Sequence, residues 1–192
     1  MRKFTAILLL LSLFALPALM EEKDMKTIYF AGGCFWGTER LFELVPGVQD
    51  VVSGYANGTL ESPSYERVIR GDTGHRETVK VTYDPKVIGL KDLMRLYYAT
   101  IEPELKNRQG NDIGTQYQTG IYWEDAADAQ VVLDYAEQEK PKHRAFHVEL
   151  QPLSAFWEAE EYHQDYLVKN PNGYCHIGPA AFEEARKLQK LE

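Results

Sequence analysis

The glycine pair Gly32-Gly33 constrains this chain more than any other feature. Before it, Ile28-Tyr29-Phe30-Ala31 is a short apolar run that reads as a buried strand, and the glycines stop it in a sharp turn. Beyond it, Phe35, Trp36, Leu41, Phe42, Leu44 and Val45 recur near helical spacing until Pro46-Gly47 ends the pattern. A strand that turns directly into a helix asks for layers of helix on sheet.

The remaining segments fit such layers. Val48 to Tyr55 reads as a second strand, Ala56 to Ser62 as a polar surface loop, and Pro63 to Arg70 as a short helix. Glu77, Val79, Val81 and Tyr83 alternate with Thr78, Lys80 and Thr82, so a carboxylate shares a strand face with two valines and a tyrosine. Leu90, Leu93, Met94, Tyr97 and Ile101 mark one face of a core helix. Glu102 to Gln118 reads as a long irregular stretch, a kind of segment that tends to be functional. Thr119 to Trp123 is a strand, Asp125 to Lys140 a helix ended by Pro141, and Phe146, Val148 and Leu150 mark a further half-buried strand. Ala155 to Val168 is expected as a helix, with His163 in a packing or capping role; Asn170 to Pro179 is turn-forming, and Ala180 to Leu191 is a charged terminal helix. There is no internal repeat or low-complexity linker. The expected fold is α+β: a two-layer α/β sandwich with a mixed, mainly antiparallel sheet and helices packed on it, one domain over residues 25–192.

The chain has two cysteines in 192 residues, and Cys34 falls in the first turn of the first helix. Unpaired N–H groups and the helix dipole stabilise a thiolate there, bringing a thiol from about 8.5 to about 7 or below. Gly32, Gly33 and Gly37 leave room around the sulfur, and Phe35 and Trp36 offer an apolar wall. Cys34 reads either as a reactive thiol or as an ordinary buried cysteine. Glu77 also has two readings: drawn into the core, its pKa rises and it becomes a proton donor near neutral pH; at a frayed strand start, it stays solvated.

A formal charge of −8 argues against nucleic acid as a partner. Met1-Arg2-Lys3 followed by the apolar run from Ala6 to Leu16 has the form of a secretory signal, so residues 1–20 are expected to be a signal peptide or an uncleaved N-terminal anchor on an exported protein. In an oxidising compartment a structural Cys34–Cys175 disulfide would stabilise by about 4 to 5 kcal/mol, the mark of a stapled exported binding module. A metal site from Cys34, His75, Cys175 and His176 lacks a compact ligand pair on either side. Two thiols, one on a helix and one in a loop, with a buried acid also describe a redox cycle through a sulfenic acid and a disulfide.

Five ordered motifs favour that cycle: GGCFWGTE (32–39), PSY (63–65), TGHRETVKVTYDP (73–85), RQGNDIGTQY (108–117) and NPNGYC (170–175). Together, from Thr27 to about Gly178, they resemble the class A peptide-methionine-sulfoxide reductases, which reduce the S epimer of methionine sulfoxide. The resemblance implies that Cys34 attacks the sulfoxide sulfur and Glu77 protonates its oxygen. Tyr65 and Tyr117 would hydrogen-bond that oxygen, Asp112 would help build the same polar floor, and Phe35 and Trp36 would hold the methyl group. Cys175 would be the resolving thiol, forming a disulfide with Cys34 that thioredoxin or a thioredoxin-fold reductant reopens. Protein-bound and free methionine sulfoxide would be substrates, with no cofactor. Without the resemblance, Tyr65, Tyr117 and Asp112 read as ordinary surface or core residues. Where the family often has His-Asp-Pro, this chain has Ile101-Glu102-Pro103-Glu104, and no third cysteine follows Cys175. The nearest rival is a thiol peroxidase or another thiol oxidoreductase, which shares both cysteines and differs in substrate.

Overall fold

The computed structural model describes residues 24–190, so the segment expected to direct export, residues 1–20, lies outside the described residues. The first apolar run forms β1 (Lys26–Ala31), and Ile28 to Ala31 are buried because strands flank them on both sides. The glycine turn leads into α1 (Phe35–Glu43), and β2 (Val48–Ala56) follows after Pro46-Gly47. Next come the one-turn α2 (Tyr65–Val68), β3 (Arg76–Tyr83) and α3 (Leu90–Tyr98). The long stretch after α3 is more ordered than its composition suggests: β4 (Arg108–Gln109) and β5 (Asp112–Ile113) pair as a small hairpin, and Thr115–Tyr117 is a 3-10 turn.

Strand β6 (Gly120–Trp123) and helix α4 (Ala126–Glu139) match their sequence signals; Asp125 accepts the Ala127 N–H at 2.8 Å as the cap of α4. The last elements are β7 (Glu149–Pro152), β8 (Phe156–Glu158), α5 (Tyr166–Lys169) and α6 (Pro179–Lys187). Six strands form one sheet in the order β7-β6-β1-β3-β2-β8, antiparallel except for the parallel pair β6–β7. This is the mixed, mainly antiparallel α+β sandwich expected from the sequence. Among the described residues no helix is long and apolar enough to cross a membrane.

Alternation along the strands separates the two faces. Ile28, Phe30, Val79, Val81 and Ile121 join Leu41, Phe42, Leu93, Met94 and Val132 in the main core, so the helices cover one face. Phe30 stacks on Phe42 with ring centroids 4.6 Å apart. On the other face Tyr29, Ala31, Ala56 and Tyr122 form a small cluster under Leu153 and Phe156. Buried Tyr97 sets its hydroxyl 2.9 Å from the Ala31 carbonyl and 3.2 Å from that of Gly120, where the β1–β6 ladder ends. The glycine turn therefore leaves the sheet from a fixed point.

The helix expected over Ala155 to Val168 does not form. Phe156, Trp157 and Glu158 pair with Ala56, Tyr55 and Gly54 as β8, a 3-10 turn covers Glu161–His163, and only α5 is helical. Edge pairing to β2 wins over local propensity, and Asp165, at φ 51°, interrupts any continuous helix. The strand expected around Phe146 begins later, at Glu149, since Phe146 instead packs beside Tyr98. The terminal helix ends at Lys187 rather than near Leu191.

Candidate active site

The turn before Cys34 depends on Gly33, whose φ is +89° and whose added Cβ would lie 2.6 Å from Cβ of Gln109. Gln109 is itself fixed, accepting the Glu102 N–H at 2.8 Å and donating to the Glu102 carbonyl at 3.0 Å. The 102–118 segment thus closes onto the turn. Cys34 is the residue immediately before α1 rather than within its first turn, and it is only 6% exposed.

The thiol does not behave as its position at a helix start suggests. Burial pushes the Cys34 thiol well above its ordinary value, and Glu77, once ionised, adds to the rise; the Trp36 backbone N–H opposes it. The helix start is present, but desolvation outweighs it. Free Cys34 is therefore a protonated thiol at neutral pH.

Glu77 lies opposite Tyr55 in the β2–β3 ladder, and Phe30 pairs with Val79, so the register places Glu77 level with the glycine turn. It is 1% exposed, and its Oε2 accepts the Phe35 N–H at 3.1 Å. Burial pushes its carboxyl up to about 8, against the pull of that N–H. Of its two sequence readings the buried one holds, and Glu77 carries a proton at neutral pH.

Tyr65 begins α2 and Tyr117 ends the 3-10 turn, and each lies within electrostatic reach of the other, of Glu77 and of Cys34. Burial pushes Tyr65 up to about 12 and Tyr117 up as well, so both remain O–H donors. The sheet, α2 and the loop hairpin thus converge on one spot. Asp112 also bears electrostatically on Cys34 and Glu77, while its own Oδ2 accepts the Tyr174 hydroxyl at 3.0 Å. Phe35 is 1% exposed, its ring centroid 4.9 Å from that of His163. Trp36 stacks on Tyr166 at 3.7 Å and 11°, and its Nε1–H donates to Nδ1 of His163 at 3.0 Å.

Cys175 and Cys34 are both free thiols. Gly37 faces the second sulfur: a Cβ there would lie 2.9 Å from Cys175 Sγ, so about one turn of α1 separates Cys34 from the point where Cys175 rests. The Cys175 S–H donates to the Ile177 carbonyl at 3.4 Å. Among the described residues no group of three or more His, Cys, Asp or Glu side chains is arranged to hold a metal ion.

The family described as Peptide methionine sulfoxide reductase matches residues 26–192. The chain belongs to that family. The MsrA of Lachnoclostridium phytofermentans, named peptide methionine sulfoxide reductase, is 49% identical over 162 residues, 84% of this chain and 98% of that protein. Reduced Mxr1 from Saccharomyces cerevisiae superposes with a TM-score of 0.76 at 38% identity, covering 80% of this chain and 91% of that one. Mxr1 in complex with Trx2 superposes with a TM-score of 0.53 at 27% identity, over 74% and 84%.

Within this reductase framework, two residues were not legible as part of the site. His163 is 1% exposed and its ring contacts those of Phe35, Trp36, Tyr65 and Tyr162, so it buttresses the aromatic wall; burial pushes its pKa down and keeps it neutral. Glu160 accepts the Tyr65 N–H at 2.8 Å and the Tyr55 hydroxyl at 2.8 Å, setting the start of α2. Both belong to the segment that reads as a helix, so no local signal pointed them at the site.

Proposed function

We propose that this chain reduces the S epimer of methionine sulfoxide, protein-bound or free, to methionine, with Cys34 as nucleophile and Cys175 as resolving thiol. The observation that carries this reading is the protonated, buried Glu77, held by the amide of the residue that follows Cys34. A sulfoxide oxygen is a weak base and a poor leaving group until protonated. An acid that keeps its proton at neutral pH beside a thiol is suited to supply it.

In the proposed step Cys34 sulfur attacks the sulfoxide sulfur as Glu77 gives its proton to the oxygen. The thiol proton restores Glu77; the oxygen then passes as hydroxyl from the sulfoxide sulfur to Cys34 as its S–O bond and the transient bond between the two sulfurs break, so methionine leaves and Cys34 is a sulfenic acid. Tyr65 and Tyr117 donate hydrogen bonds to that oxygen, Asp112 contributes to the polar side of the site, and Phe35 with Trp36 receives the methyl group. Cys175 then displaces the hydroxyl as water, forming a disulfide. A thioredoxin-type reductant reopens it, in keeping with the complex that Mxr1 makes with Trx2.

Single-turnover reduction of a methionine S-sulfoxide by the pre-reduced protein tests the reading, with thiols counted before and after. One methionine per chain with loss of both thiols is the expected result. No methionine with both thiols intact would return the chain to the stapled binding module, and turnover of peroxide alone to a thiol peroxidase.

The protein acts after export, a reading supported by Arg2 and Lys3 ahead of the apolar run from Ala6 to Leu16. Fractionation of cells expressing the full chain with a C-terminal tag is expected to find it outside the cytoplasm. Deletion of residues 2–20 is expected to retain it inside; an unchanged distribution would overturn export.

A further inference from the structure

Cys175 sits between two tethered residues. On one side the Tyr174 hydroxyl donates to Asp112 Oδ2 at 3.0 Å. On the other, Nε2 of His176 lies 2.9 Å from the Gly32 carbonyl, which can only accept, so Nε2 carries the proton and donates. The side chain of His176 is only 5% exposed. Its other nitrogen, Nδ1, has no hydrogen-bond partner and lies 3.8 Å from Asp112 Oδ2. Two glycines make the room: a Cβ on Gly33 would lie 3.3 Å from Nε2, and one on Gly110 3.3 Å from the His176 Cβ.

The geometry has a direct consequence for the two sulfurs. Gly32 is two residues before the nucleophile and His176 is the residue after the resolving thiol, so one hydrogen bond joins the two cysteine segments through a carbonyl and a ring nitrogen. Tyr97 holds the Ala31 carbonyl at the preceding strand end, and the ring nitrogen lies against Gly33 with the His176 Cβ against Gly110. We propose that His176 is a positioning residue for the disulfide step, anchoring Cys175 to the carbonyl of the turn that bears Cys34. This rests on the reductase reading above. The assisted step is internally balanced: Cys175 sulfur bonds to Cys34 sulfur, the S–O bond of the sulfenic acid breaks, and the oxygen leaves as water with the thiol proton. No outside electrons are needed. A resolving thiol held in place makes the attack effectively pre-oriented, which is where the anchor acts.

The test separates the two chemical steps in a single turnover of the full chain. Methionine release reports the first, and loss of the second thiol, with dimedone trapping of the sulfenic acid, reports the next. His176→Leu is expected to release methionine within twofold of the wild-type rate while forming the disulfide at least tenfold more slowly, with trappable sulfenic acid accumulating. His176→Gln, whose amide N–H reaches as far as Nε2, is expected to restore disulfide formation to within about threefold. Should the leucine variant fail to fold, His176→Asn, polar but too short for the Gly32 carbonyl, carries the same expectation as leucine. Disulfide formation at the wild-type rate without the anchor would overturn the proposal. So would equal slowing of both steps, or a glutamine variant as slow as leucine. Failure of the wild-type protein to release methionine would instead overturn the reductase reading.

Discussion

Glu77 shows what one buried carboxyl does to both chemistry and stability. Its carboxyl titrates at 4.5 when unperturbed and at about 8 in the fold. Between those values the unfolded chain has given up a proton that the native chain keeps, so stability falls as pH rises through the window and levels off above about 8. The Glu77→Gln variant keeps the acceptor for the Phe35 N–H and cannot ionise. Comparison of urea midpoints at pH 5 and pH 8 is expected to show a steeper loss for wild type, the difference reaching a few kcal/mol. The same substitution removes the proposed proton donor, so single-turnover methionine release is expected to drop by about 10²-fold or more. In the wild type that rate is expected to decline above about pH 8, as Glu77 ionises. Cys34 carries the opposite lesson about local reading. Its helix start was visible in the sequence, whereas the burial that raises its pKa is made by the folded molecule around it, which no local pattern reports.

Among the elements, α1 is built around the gap at Gly37. Alanine there adds helix propensity of about 1 kcal/mol, yet its Cβ would lie 2.9 Å from Cys175 Sγ and 3.4 Å from the Ile177 side chain. Gly37→Ala is therefore expected to leave the melting temperature within a few degrees and to slow disulfide formation about tenfold, measured by thiol loss after a single turnover. The alternation of Glu77, Val79, Val81 and Tyr83 made β3 and the fate of Glu77 legible, because one sheet face meets the helices along the whole strand. The Asp125 cap and Pro141 likewise bounded α4. The 156–169 segment was not legible, since β8 exists only through its pairing with β2. Tyr65, Tyr117 and Asp112 stood out only through motif resemblance: each comes from a separate element, and spacing along the chain carries no sign that three such elements meet.

The molecule as a whole divides its labour between the two faces of the sheet. The helix-covered face holds the core and the candidate site; the other is closed by a polar strap, in which Arg76 donates to both oxygens of Glu149, at 2.8 and 3.2 Å, and the Tyr122 hydroxyl donates to Glu149 at 2.8 Å. That strap ties β3 to β7 across the intervening strands. Arg76→Ala is expected to cost about 2 kcal/mol in urea unfolding, the scale of hydrogen bonds to a charged partner, with kcat/KM changed by less than about threefold. A larger loss of activity than of stability would mean that the two faces communicate. The protonated, enclosed state of Cys34 has a last consequence for the life of the protein. Peroxides and alkylating agents react with exposed thiolates, and this sulfur is buried, with its pKa pushed up by that burial. The conditions that oxidise methionine elsewhere are thus expected to leave the Cys34 thiol largely unspent until a sulfoxide enters beside it.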